Sequence, residues 1–231
     1  MDCCKPMKME SKTHNAEDKK PNYEFMLQIA LIAILVIVLF YNIGKISNPV
    51  TDDEVATTIG TVSASEIIPK GIPNVYGEEL KVNFNDVSPN NPQLADLTIQ
   101  KLSAYEDTAL NAEQMERYIR IGSSISCEYC CGAQALIFSN GERACGCAHS
   151  YAMRGLAKYL LINHPDMTDE QILNELGKWK VLFFPGVHEQ KAQALKAQGL
   201  DETNYVNLAS NLYRGIEKGQ TTSGGQMVGG C

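Results

Sequence analysis

The stretch SCEYCCGAQALIFSNGERACGCAH, Ser126 to His149, holds five of the chain's eight cysteines and one of its four histidines. No other feature restricts the fold as much, because these thiols need a metal ion, another sulfur or a redox role. The stretch resolves into two knuckles: Cys127, Cys130 and Cys131 form C-x2-C-C, and Cys145, Cys147 and His149 form C-x-C-x-H. Gly132 and the turn pair Asn140-Gly141 lie between them. Closely spaced thiols on Gly-containing turns can point at one centre. Two such turns brought together supply enough soft ligands for tetrahedral Zn(II) or thiolate-rich Cu(I).

Two other chemistries compete for the same sulfurs. In an oxidising compartment a cysteine cluster is often a disulfide framework. The vicinal pair Cys130-Cys131 and the pair Cys145-x-Cys147 are too close to bridge internally without strain, so bridges would have to cross between knuckles. The C-x-x-C of Cys127 and Cys130 also suits a thiol–disulfide oxidoreductase. Ferredoxin spacings do not match, which argues against an iron–sulfur cluster. The second knuckle runs into a helix start, where the macrodipole favours thiolates. His149, two residues beyond Cys147, has ligand spacing. His164 before Pro165 reads as a helix C-terminal residue, His188 as a surface residue, and His14 as part of a polar tail.

Around this cluster the chain divides into five parts. Residues 1–24 read as a disordered cytoplasmic tail carrying Cys3 and Cys4. Residues 25–43, FMLQIALIAILVIVLFYNI, are nearly unbroken apolar sequence, enough to span a hydrocarbon core of roughly 30 Å. Lys5, Lys8, Lys12, Lys19 and Lys20 precede that run and Lys45 follows it, which orients the N-terminus to the cytoplasm. Residues 44–91 read as a stalk with short β segments, since Leu80, Val82 and Phe84 alternate. Residues 92–217 read as a helical Cys-rich domain. Residues 218–231 form a flexible Gly/Ser tail ending in Cys231, a thiol that could swing to the cluster.

The helices of the fourth part are marked by local signals. They are expected over Pro92–Ala104, from the N-cap Asn111 through AEQMERYIRI, and over Ala148–Asn163 ahead of His164-Pro165. Thr168 with Gln171 is a capping box, opening a helix that Pro185-Gly186 stops. Its positions Ile172, Leu176, Trp179 and Phe183 read as core, and shorter helices follow near 188–198 and 204–217. The net charge of −7, with no basic stripe, argues against nucleic-acid binding. No Ser/His/Asp constellation, phosphate loop or carboxylate pair stands out, so a hydrolase or transferase is not expected.

The segment SCEYCCG…ACGCAHSYAMRGLAKYLLINHPDMTDEQILNELGKWKVLFFP, about Ile121 to Pro185, resembles membrane-anchored, Cys-rich prokaryotic proteins. It is also similar to PCYCGC-motif lipoproteins, which pair an upstream Cys-rich knuckle with a C-G-x-C at a helix start. The chain departs from that pattern: its first knuckle is Cys127, Cys130 and Cys131, and an apolar run stands where a lipobox would be. The resemblance implies metal binding at the cell surface.

The expected fold is mainly α: a single N-terminal transmembrane helix plus a small extracytoplasmic helical domain with minor β and a Cys-rich metal knuckle. The expected function is binding or delivery of zinc or copper by Cys127, Cys130, Cys131, Cys145, Cys147 and His149. The expected partners are membrane lipid, the metal ion and a metal donor or acceptor protein. A tethered thiol–disulfide oxidoreductase, or an interaction domain stapled by zinc or disulfides, are the alternatives.

Overall fold

The computed structural model describes residues 23–46, 62–218 and 227–230, with the side chains of 25, 37–46 and 64 left aside. The expectations for Cys3, Cys4, His14 and Cys231 lie outside the described residues. By internal packing the chain forms two units, Met1–Thr57 and Thr58–Cys231.

In the first unit the apolar run is helical, α1 (Tyr23–Ile46). The expected membrane-spanning helix is nevertheless corrected: among the described residues no helix is long and apolar enough to cross a membrane.

The regular elements among the described residues of the second unit are helices. Its elements are α2 (Ala64–Ile67), α3 (Gly77–Leu80), a 3-10 turn at Phe84–Asp86, α4 (Pro92–Ser103), α5 (Ala112–Ser123) and α6 (Glu128–Cys131). There follow α7 (Ala148–Asn163), α8 (Asp169–Phe183), α9 (Pro185–Ala197), α10 (Tyr205–Ala209) and a 3-10 turn at Asn211–Tyr213. The expected minor β is also corrected. Among the described residues there is no strand, only isolated bridges pairing Ile125 with Ser210 and Ile137 with Arg143. The alternating Leu80, Val82 and Phe84 are all buried, but without a strand partner. Their backbone is satisfied locally instead: the Val82 amide donates to Gly77 O and the Phe84 amide to Gly71 O.

α7 is the central helix. Residues on nearly every face of it are buried, from His149 to Leu161, because α4, α5 and α8 pack around it. Its closest neighbour is α4, and Gly155 makes the approach possible: a Cβ there would stand 2.1 Å from the Leu102 carbonyl oxygen. α5 and α8 each start with a capping box, Asn111 with Gln114 and Thr168 with Gln171. Trp179 is fully buried on α8, its ring 4.8 Å from Phe84 and its Nε1 donating to Tyr76 Oη at 2.7 Å. That contact ties the 62–91 segment into the same core as α7 and α8.

Candidate metal centre

Each knuckle is fastened to a helix. In the first, Cys127 caps the one-turn helix α6, and Gly132 ends it at φ 69°, a left-handed position glycine adopts at little cost. Glu128 anchors α6 to the core by accepting from the buried Lys180 Nζ at 3.0 Å and from Arg214 Nε at 2.9 Å. In the second, Cys147 is the N-cap of α7, its sulfur accepting from the Ser150 amide at 3.4 Å. The turn at Asn140-Gly141 folds the intervening loop back, with Gly141 at φ 83°. Leu136 and Ile137 plug that loop into the core. Arg154, fully buried on α7, donates from one nitrogen to the carbonyls of Leu136 (3.2 Å) and Cys145 (2.9 Å).

The six expected ligands do not form one site. Cys131 and Cys145 are joined as a disulfide, the only bridge among the described residues. Cys127, Cys130 and Cys147 stand outside it. Their sulfurs and a ring nitrogen of His149 lie within 4.8 Å of one another, a group that could hold a metal ion. Cys147 also belongs to a second group, lying within the same distance of the Cys131 and Cys145 sulfurs. It is therefore the hinge between a metal-type cluster and a disulfide.

His149 is oriented for ligation. Its ring is fully buried against Phe183 and Phe184, at 4.6 and 5.1 Å between centroids. Nε2 lies 3.0 Å from the Val228 carbonyl oxygen, which can only accept, so Nε2 carries the proton. Nδ1 is buried and makes no hydrogen bond of normal geometry, although the ring stands close enough to Cys147 to help hold that thiol low. A ring N–H fixed by a backbone carbonyl, with the other nitrogen left open, is the usual outer-shell arrangement of a metal-bound histidine.

The electrostatics divide the sulfurs. Cys147 and Cys127 lie 3.2 Å apart and share a hydrogen bond. That bond pushes the Cys147 thiol down to about 3 against the effect of burial, with help from the His149 side chain and then from the Ser150 hydroxyl and amide. The same bond, together with burial, pushes Cys127 up. Cys147 thus carries the negative charge at the start of α7, where the helix dipole also favours an anion.

The sequence pattern did not disclose two features. The first is the C-terminal segment, expected to be flexible: residues 227–230 are seated on the domain. Val228 is buried, its amide donates to Phe183 O at 2.9 Å, and the Gly230 amide donates to Asp96 Oδ1 at 2.9 Å. The second is His188, which is fully buried rather than on the surface. It lies one turn into α9, its Nδ1 donating to Phe184 O at 2.8 Å and its ring edge-on to Tyr129.

Comparison with protein-family models, with curated proteins and with solved structures finds no match to this chain.

Proposed function

We propose that the chain binds one soft metal ion, Zn(II) or Cu(I), through Cys127, Cys130, Cys147 and His149 Nδ1. The observation that carries this is the buried Nδ1, without a hydrogen bond of normal geometry, set among three sulfurs. A lone pair buried without a well-formed hydrogen bond costs free energy on the order of 1–3 kcal/mol, which a bound ion would recover. Three thiolates and one imidazole are a Cys3His set, one of the usual ligand sets of tetrahedral zinc, while the thiolate majority also suits Cu(I). Cys130 is exposed, so a donor or acceptor protein can reach the ion from that side, and the role is metal binding with handover. The Cys131–Cys145 disulfide favours an oxidising compartment, where a bound metal would also protect the other thiolates.

The test is metal analysis of the full chain, reconstituted with Zn(II) or Cu(I) after mild reduction. One ion per chain is expected, retained by the double variant Cys131→Ser/Cys145→Ser and lost by Cys127→Ser or Cys147→Ser. His149→Gln should weaken binding roughly tenfold or more, by the usual effect of removing a ligand or its support. Substoichiometric metal in the wild-type chain, or equal loss in the Cys131/Cys145 variant, overturns the reading.

A further inference from the structure

The metal site uses only some of the sulfurs present. Cys131 is exposed while its bridge partner Cys145 is 6 % exposed, so one end of the disulfide faces solvent and the other faces the core. A third sulfur, Cys147, lies within 4.8 Å of both. A solvent-facing electrophilic sulfur backed by a shielded leaving sulfur and a nearby nucleophile is what thiol–disulfide exchange needs. A purely structural staple needs none of the last. Cys147 also caps α7 and is shared with the metal-type cluster, and neither role requires it to stand against the bridge.

We propose that Cys131–Cys145 is a thiol–disulfide exchange site for external dithiols, and that Cys147 is its internal nucleophile whenever no metal holds it. The role given to Cys147 rests on the metal reading above. A substrate thiolate attacks Cys131 Sγ. The Cys131–Cys145 bond breaks, and its electron pair leaves on Cys145 Sγ. Cys145 takes a proton from the substrate's second thiol, and the resulting thiolate attacks the substrate sulfur of the mixed disulfide. Cys131 leaves as a thiolate and is protonated by solvent. The substrate dithiol becomes a disulfide, losing two electrons, and the bridge becomes two thiols.

A single monothiol carries no second thiol with which to complete that cycle, and a trace amount leaves no second molecule to do so. Its mixed disulfide with Cys131 is cleared by Cys147, whose thiolate attacks Cys131 Sγ, forms Cys131–Cys147 and returns the monothiol as a thiolate. Cys145 is left as a thiol, no net oxidation occurs, and the bridge has moved. An ion bound to Cys147 blocks this route, because the coordinated sulfur lone pair is no longer available to attack.

The experiment uses the folded full chain without denaturant. Metal-free protein given dithiothreitol should lose the bridge and yield one oxidised dithiothreitol per chain. Metal-free protein given a trace of 2-mercaptoethanol, then quenched with iodoacetamide, should show Cys131–Cys147 with Cys145 alkylated. Tandem mass spectrometry that separates Cys145 from Cys147 reads this. Preloading with Zn(II) should keep the bridge at Cys131–Cys145. The variants Cys147→Ser and Cys147→Ala should stay reducible by dithiothreitol yet never relocate the bridge. A bridge that yields to dithiothreitol only in denaturant, or that never relocates in metal-free wild-type protein, overturns the proposal. Relocation that Zn(II) leaves unchanged upholds the exchange chemistry and overturns the metal reading instead.

Discussion

Glu106 is buried at the junction of α4 and α5, and it holds the loop between the two knuckles through arginines. Arg154 Nε donates to it at 2.7 Å and Arg143 Nε at 2.7 Å, while another Arg154 nitrogen donates to the Cys145 carbonyl. Burial pushes the Glu106 carboxyl up, but the bonds from Arg143 and Arg154 outweigh it, and the net shift is downward from 4.5. A depressed carboxylate stabilises the fold fully above its unfolded value and loses that contribution as pH falls through the lower folded value. Urea midpoints should therefore drop on acidification below about pH 4.5. Glu106→Gln should flatten that drop; an unchanged acid slope in this variant would assign the effect elsewhere. Arg154→Met removes one cation from a nearly dry carboxylate and should cost about 3 kcal/mol in chemical denaturation. The residues that could hold a metal ion stand out in the sequence through their C-x2-C and C-x-C-x-H spacings, although two of the six named there, Cys131 and Cys145, are joined to each other instead. Which sulfurs pair is not visible there, because the approach of Cys131 to Cys145 depends on how Leu136, Ile137 and Arg154 hold the loop between them.

Helices reveal themselves through signals that span one turn, so α7 begins and ends where the sequence places it, over Ala148–Asn163. The Thr168–Gln171 box is likewise local, and both of its hydrogen bonds form, at 3.1 and 2.8 Å. Thr168→Ala should lower stability by about 1 kcal/mol, and the melting temperature by about 2–4 °C for a domain of this size. Helix contacts are a different matter, since no periodicity announces which faces meet. Gly155 reads as a mild helix defect until α4 is laid against it with the Leu102 carbonyl where a Cβ would be. Gly155→Ala gains helix propensity in isolation but must push α4 off its partner. It should be destabilising by about 3 kcal/mol, and a neutral or stabilised variant in thermal melts would contradict the packing described. The same non-locality explains the mistaken β segments. The pattern Leu80, Val82, Phe84 correctly marks burial, yet a strand also needs a partner, and this stretch closes its hydrogen bonds within turns.

At the scale of the whole unit, the candidate site is completed from the far end of the sequence. The histidine on α7 presents Nδ1 to the thiols only because Val228, 79 positions away, accepts from Nε2. Gly/Ser-rich composition forecasts a high chain entropy for this tail, and it contains no information on where a carbonyl will dock. The two glycines nevertheless have work to do. Gly229 and Gly230 take φ 67° and 82°, left-handed values that side chains resist, and a Cβ at Gly230 would stand 2.7 Å from the His149 ring. Truncation after residue 218 would remove the carbonyl, free the imidazole to take either tautomer and admit water behind it. Outer-shell partners of metal-bound histidines are worth roughly 10–100-fold in affinity, so competition titration with a chromogenic chelator should show a loss of that order. Gly230→Ala offers the subtler version, displacing the ring while keeping the tail, and should weaken metal binding in the same direction with the thiol count unchanged. Wild-type affinity in both variants would mean that His149 is held by Phe183 and Phe184 alone, and that the tail is not part of the metal centre.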